Sequence, residues 1–167
     1  LAAWRRQLAR AMFGLGEIEG VASEARTAVE LVAGPLPTSP LRWTTLSVRA
    51  ALGRLLSRSG LPRSRTDEVE ALLEGARAAG LLAEAAYFLN APEMMVGSAL
   101  VAVGLAERTP SAAPVSVAYG MLGVVAGMAR MHKTARRYLT TARSLSEAAD
   151  DPYQLGVAWF YTGLYLG

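Results

Sequence analysis

The sequence predicts an all-α fold of antiparallel helix pairs stacked into an α-α superhelix, and three observations carry that expectation. Apolar residues recur at three- and four-residue spacing through almost the whole chain. Sustained two-residue alternation and Asn-Gly or Asp-Gly hairpin turns are absent, which leaves strands without support. Stretches rich in Gly and Pro cut the helical pattern into segments of helix length.

Residues 2–14 and 17–33 read as two helices separated at "GLGE", and "GPLPTSP" at 34–40 is a clear stop. A third helix covers about 41–59, with Leu41, Val48, Leu52, Leu55 and Leu56 on one side and Arg54 and Arg58 on the other. After "GLPRSR", Ser64 and Asp67 have capping-box spacing for a helix over about 66–89. Asn90 to Pro92 ends it, and Pro92 suits the first turn of a helix reaching about Glu107, where a missing N–H costs nothing. "TPSAAP" is the next break. Pro114 then opens a helix to about Arg130, another spans about 133–149, and Asp151-Pro152 opens the last. The organisation is therefore a first helix pair at 1–33, an inserted segment at 34–65, pairs at 66–109 and 110–150, and the first helix of a further unit at 151–167. Because the sequence starts at Leu1 and stops inside a predicted helix, it is expected to be an excerpt of a longer reading frame.

With 167 residues, 52% hydrophobic and 19% charged, the chain belongs with folded domains. It has no cysteine, so disulfides and thiolate metal sites are excluded. The net charge of +3 is uneven: residues 1–65 carry ten arginines against four glutamates, while the remainder carries seven basic and ten acidic groups. Those arginines are scattered and lack interleaved aromatics, so no specific nucleic-acid partner is expected. "LAAWRRQLAR" places arginines where a signal peptide needs an apolar core.

A register of forty residues runs through the later helices. Tyr119, Leu122, Gly123 and Ala126, followed by Ala135, Leu139 and Ala142, have counterparts in Trp159, Thr162 and Gly163. In the other direction the counterparts are Leu82, Ala83, Ala86, Met95, Ala99 and Ala102, and a fainter unit holds Leu8, Ala9, Met12, Gly16, Val21, Ala25 and Ala28. This pattern resembles the tetratricopeptide (TPR) repeat, in which small residues sit where helices cross and larger apolar ones fill the gaps. The sequence departs from that family at Ala126, where a large aromatic is usual, at Arg130, where glycine is usual, and in its longer period. "AAYFLNAPEMMVGSALVAVGLAER" and "ARRYLTTARSLSEAADDPYQLG" further resemble the repeat region of large bacterial multidomain signalling ATPases, including STAND-type regulators and those with a class III adenylate cyclase domain. That resemblance implies a cytoplasmic regulatory segment, with nucleotide chemistry outside these residues.

Several stretches suggest chemistry at first sight. Thr109 to Ala129 is an uncharged run of membrane length, but Pro110 and Pro114 cut its helical part to about sixteen residues, short of the roughly 20 a span needs. It is expected to be an interior helix of the stack instead. "GLGEIEG" lacks the context and spacing of a phosphate loop and reads as a helix–helix turn. His132, at a turn, has no partners at metal-ligand spacing. Asp67/Glu68, Glu70/Glu74 and Asp150/Asp151 fall at helix starts and on polar faces, where capping and solvation explain them. No serine sits in a G-x-S-x-G elbow. No catalytic residue, metal or cofactor is expected.

The functional expectation is a scaffold for protein–protein or interdomain contact. The resemblance implies that first helices line a concave face, and helical phase then selects Arg6, Arg10 and Phe13 in the first unit and Glu84, Tyr87 and Phe88 in the next. Val124 and Met128 follow, then Phe160 and Leu164. The expected groove is basic at one end and apolar toward the other, and takes a protein or peptide segment or a neighbouring domain. The alternative is a membrane-associated helical module using residues 109–129 or the 41–59 helix, with Trp43 and the arginines as anchors.

Overall fold

A computed structural model describes residues 1–56, 66–109, 116–148 and 152–166, and every regular element among them is an α-helix. In chain order these are α1 (Ala2–Leu15), α2 (Ile18–Ala33), α3 (Pro40–Leu56), α4 (Thr66–Phe88), α5 (Pro92–Ala106), α6 (Ser116–Met128), α7 (His132–Ala148) and α8 (Pro152–Leu166). Ser64, Arg58, Pro110, Pro114, Asp150 and Asp151 lie outside the described residues, as do the side chains of Leu52, Arg54, Leu55, Leu56 and Asp67.

One turn chemistry closes three hairpins. At the end of α1, Gly16 takes φ 78° and its N–H donates to the Phe13 carbonyl at 3.1 Å, while Glu17 N–H donates to Met12. Asn90 (φ 53°) closes α4 in the same way, its N–H donating to Tyr87 and that of Ala91 to Ala86. Arg130 (φ 60°) closes α6 through Gly127 and Ala126. A left-handed residue with this pair of bonds satisfies the orphan carbonyls of a helix end and reverses the chain. Asn90 and Arg130 stand forty residues apart, the register of the sequence pattern.

The pairs α1/α2, α4/α5 and α6/α7 pack within themselves, and each second helix meets the next first helix: α2 with α4, α5 with α6, α7 with α8. The first helices also meet in succession, α1 with α4, α4 with α6 and α6 with α8. Small side chains make this closeness available. Ala83, Ala86, Ala99 and Ala102 are buried between α4 and its neighbours, and Ala126, Ala135 and Ala142 occupy the same register in the following pair. Alanine and glycine at a crossing let helix axes approach toward the short end of the usual 8–10 Å range. α5 is buried almost all round from Gly97 to Ala106, as a helix covered on several sides must be.

α3 departs from its sequence reading. Trp43, an anchor only in the membrane alternative, is 3% exposed and lies against Gly97 of α5, where any Cβ would collide with the indole ring. The Arg26 guanidinium of α2 stacks 5.6 Å from that ring and donates to the Pro37 carbonyl, while Glu30 accepts the Leu36 N–H. Leu41 and Val48 face outward instead. The helix has apolar residues on two sides, and the larger ring took the protein-facing one. Trp43 is thus unavailable to a membrane, and no described helix is long and apolar enough to cross one. Within the uncharged run, the described helix is the 13 residues of α6.

A candidate interaction groove

The placing of α8 against α6 creates the site. Gly120 and Gly127 lie two turns apart on α6, and the rings of Tyr161 and Tyr165 fill the space over them so closely that a Cβ at either position would collide. That contact sets the phase of α8 and turns Phe160 and Leu164 toward α4 and the end of α6. On the other wall, Phe88 meets Phe13 edge-on at 5.8 Å and Tyr87 at 5.4 Å. Edge-to-face pairs of this kind fix ring orientation beyond what burial alone would do.

Between these walls is a concavity of about 360 Å³ lined by α1, α4, α6 and α8, by the turn after α4 and by the first turn of α5. Of the ten residues selected by helical phase, eight line it: Phe13, Glu84, Tyr87, Phe88, Val124, Met128, Phe160 and Leu164. Its large side chains are uncovered to an unusual degree, with Tyr87 62%, Phe88 60%, Phe160 61% and Met128 79% exposed. A contiguous apolar patch of this kind, as distinct from scattered surface leucines, marks an interaction surface. Met95, Met121, Val125, Val157 and Tyr161 also line it and were not selected from the sequence. The paired glycines of α6 and paired tyrosines of α8 were the signal that could have found Tyr161.

Arg6 and Arg10 do not line the groove, which corrects the expectation of a basic end. Arg6 donates to Glu74 at 2.7 Å, and Arg77 donates to the same carboxylate at 2.6 Å. Arg5 is likewise held by Glu24 across to α2 at 2.8 Å. Glu74, read from the sequence as a solvated helix-face residue, is in fact buried. Burial alone would raise its pKa, but the hydrogen bonds and charges of Arg6 and Arg77 outweigh that and hold it below its ordinary 4.5. Arg10 acts on Glu84 through its charge. Burial dominates there, and the Glu84 carboxyl is pushed up to about 6 against the opposing pull of Arg10. Glu84 is the one charged side chain in the lining, so the groove is apolar with an acidic spot.

A second concavity of about 450 Å³ lies between α7 and α8, where His132 and Tyr165 share a hydrogen bond of 3.1 Å. Arg143 also lines it, stacked on Trp159 and paired with Glu147. Among the described residues, no group of three or more His, Cys, Asp or Glu is placed to hold a metal ion.

Comparison with family models, curated proteins and solved structures gives no match. The functional reading accordingly rests on the geometry of this chain.

Proposed function

We propose that this chain is a non-catalytic helical-repeat scaffold, wound as a TPR-like superhelix, that binds a protein segment in the groove between α1, α4, α6 and α8. The segment comes from another protein or from a neighbouring domain of a larger signalling protein. The observation that carries the reading is the convergence of eight phase-selected residues from four separate helices on one uncovered apolar groove. Three hairpins with the same left-handed turn, two of them in forty-residue register, support the repeat description. Exposed aromatic anchors beside a recess are the usual energetic centre of a protein interface.

The test is to pan a displayed library of random peptides against the wild-type chain and against Met128→Asp, a change at a solvent-facing position that leaves the core intact. Enriched peptides are expected to lose binding to Met128→Asp and to Phe88→Ala. Peptides that bind all three proteins equally would overturn the groove reading.

A further inference from the structure

We infer that the occupant of the groove is an amphipathic helix whose apolar face carries one lysine or arginine, placed to meet Glu84. The inference rests on the groove reading above and adds the chemistry of the partner. Two features of the lining lead to it.

The first concerns the partner's backbone. The lining belongs to helices, whose main-chain groups bond internally, and to the turn after α4. There the Asn90 N–H is used by Tyr87 and the Ala91 N–H by Ala86. Its polar side chains are Glu84, Asn90 and two tyrosines. An extended peptide laid on such a surface would leave most of its N–H and C=O groups without partners, at a cost comparable to a lost hydrogen bond for each. A helix satisfies its own backbone and presents side chains at three- and four-residue spacing to the aromatic walls.

The second concerns charge. Neither arginine expected to make the groove basic lines it, Arg6 being held by Glu74, and Glu84 is the one charged side chain in the lining, which reverses the sign of the ligand the groove suits. Glu84 faces Arg10 from α1, the one charge among the described residues that acts on it appreciably. Its carboxyl nevertheless stays difficult to ionise, at about 6, so Arg10 compensates its burial only in part. A second cation arriving with the partner would favour the ionised carboxylate, and the gain is larger where water is excluded. An anion at the same place would meet repulsion.

A library of helical peptides of about four turns tests this, with its apolar face varied among Leu, Ile, Met and Phe and one central position varied among Lys, Gln and Glu. It is panned against the wild type, Glu84→Gln and Met128→Asp, with circular dichroism to establish that each protein is folded. Lys is expected to be enriched over Gln by about tenfold or more on the wild type, with Glu depleted, and the preference to vanish on Glu84→Gln. Equal recovery of Lys and Gln peptides on the wild type, with binding still lost on Met128→Asp, would overturn the charge inference and leave the groove standing. Equal binding by variants with a central proline would overturn the helical form of the partner. Recovery unchanged on Met128→Asp, or absent altogether, would overturn the groove with it.

Discussion

Gly123 of α6 and Leu139 of α7 meet so closely that a Cβ on the glycine would lie 2.7 Å from Leu139 Cγ and 3.3 Å from its backbone nitrogen. The contact is the crossing point of that hairpin, and a methyl group there must push the two helices apart. Gly163 holds the same register on α8, yet among the described residues no neighbouring side chain or other helix comes within 4 Å of the corresponding position. One substitution therefore has opposite consequences at the two sites. Gly123→Ala should destabilise the chain by ~1–3 kcal/mol through overpacking, more than its helix-propensity gain. Gly163→Ala should be neutral or stabilising by up to ~1 kcal/mol. Urea denaturation of both variants checks the pair.

Arg130 is a side chain in a conformation that suits glycine. Its φ of 60° places the Cβ against the following carbonyl, and the turn survives because its two hydrogen bonds close the hairpin. Arg130→Gly should raise stability by ~0.5–1 kcal/mol, the relief of strain exceeding the added freedom of the unfolded chain. The reverse change, Gly16→Ala at φ 78°, should lower stability by a similar amount. Thermal melts of the two variants should move in opposite directions.

Trp43 serves the core and not an external surface. Trp43→Ala should cost ~3–5 kcal/mol, the usual penalty for removing a large buried aromatic, with loss of the Arg26 stack. Leu41→Ser, on the outward side, should change stability by less than ~0.5 kcal/mol. Equal and small effects at both positions would show that α3 presents the indole to solvent.

Two carboxylates give stability opposite pH dependences. For Glu84, pushed up to about 6 in the folded chain, the ionised form is disfavoured by folding. Its contribution is greatest below pH 4.5 and falls by up to about 2 kcal/mol as pH rises through 6. Glu74 is held below 4.5, so its stabilisation is present above that value and is lost as pH falls through its lower folded value. Glu84→Gln should flatten the loss between pH 4.5 and 6, and Glu74→Gln should flatten the acid limb. Unfolding free energies for the three proteins across roughly pH 3–8, which spans the titration of carboxylates on either side of their ordinary value, read both signs.

Much of the fold was legible because its signals are local. Apolar spacing with Pro92 and the Gly and Asn turns placed helix ends within about two residues of those observed, apart from the expected end of the third helix near 59, which lies outside the described residues. The forty-residue register located Gly123 at a helix crossing. What was not legible depends on partners distant in sequence. Nothing near Arg6 in the chain points to Glu74, 68 residues away, and that pairing is what removed the basic end of the groove. α3, with apolar residues on two sides, has no single phase to read. Phase selected Phe160 and Leu164 on α8, but not the seating of Tyr161 and Tyr165 over two glycines of α6, a match of shapes that periodicity does not express.

The methionines supply the most direct test of the groove itself. Met95, Met121 and Met128 line it, whereas Met12 packs its sulfur against Gly20 of α2 and Met94 lies beside Arg26. With the methyl groups isotopically labelled, the best peptide from the panning experiment is titrated into the wild-type chain and followed by NMR. Large shifts are expected at Met95, Met121 and Met128, with Met12 and Met94 unmoved. Shifts at Met12 and Met94 with silent groove methyls would place the binding surface elsewhere and contradict the groove reading.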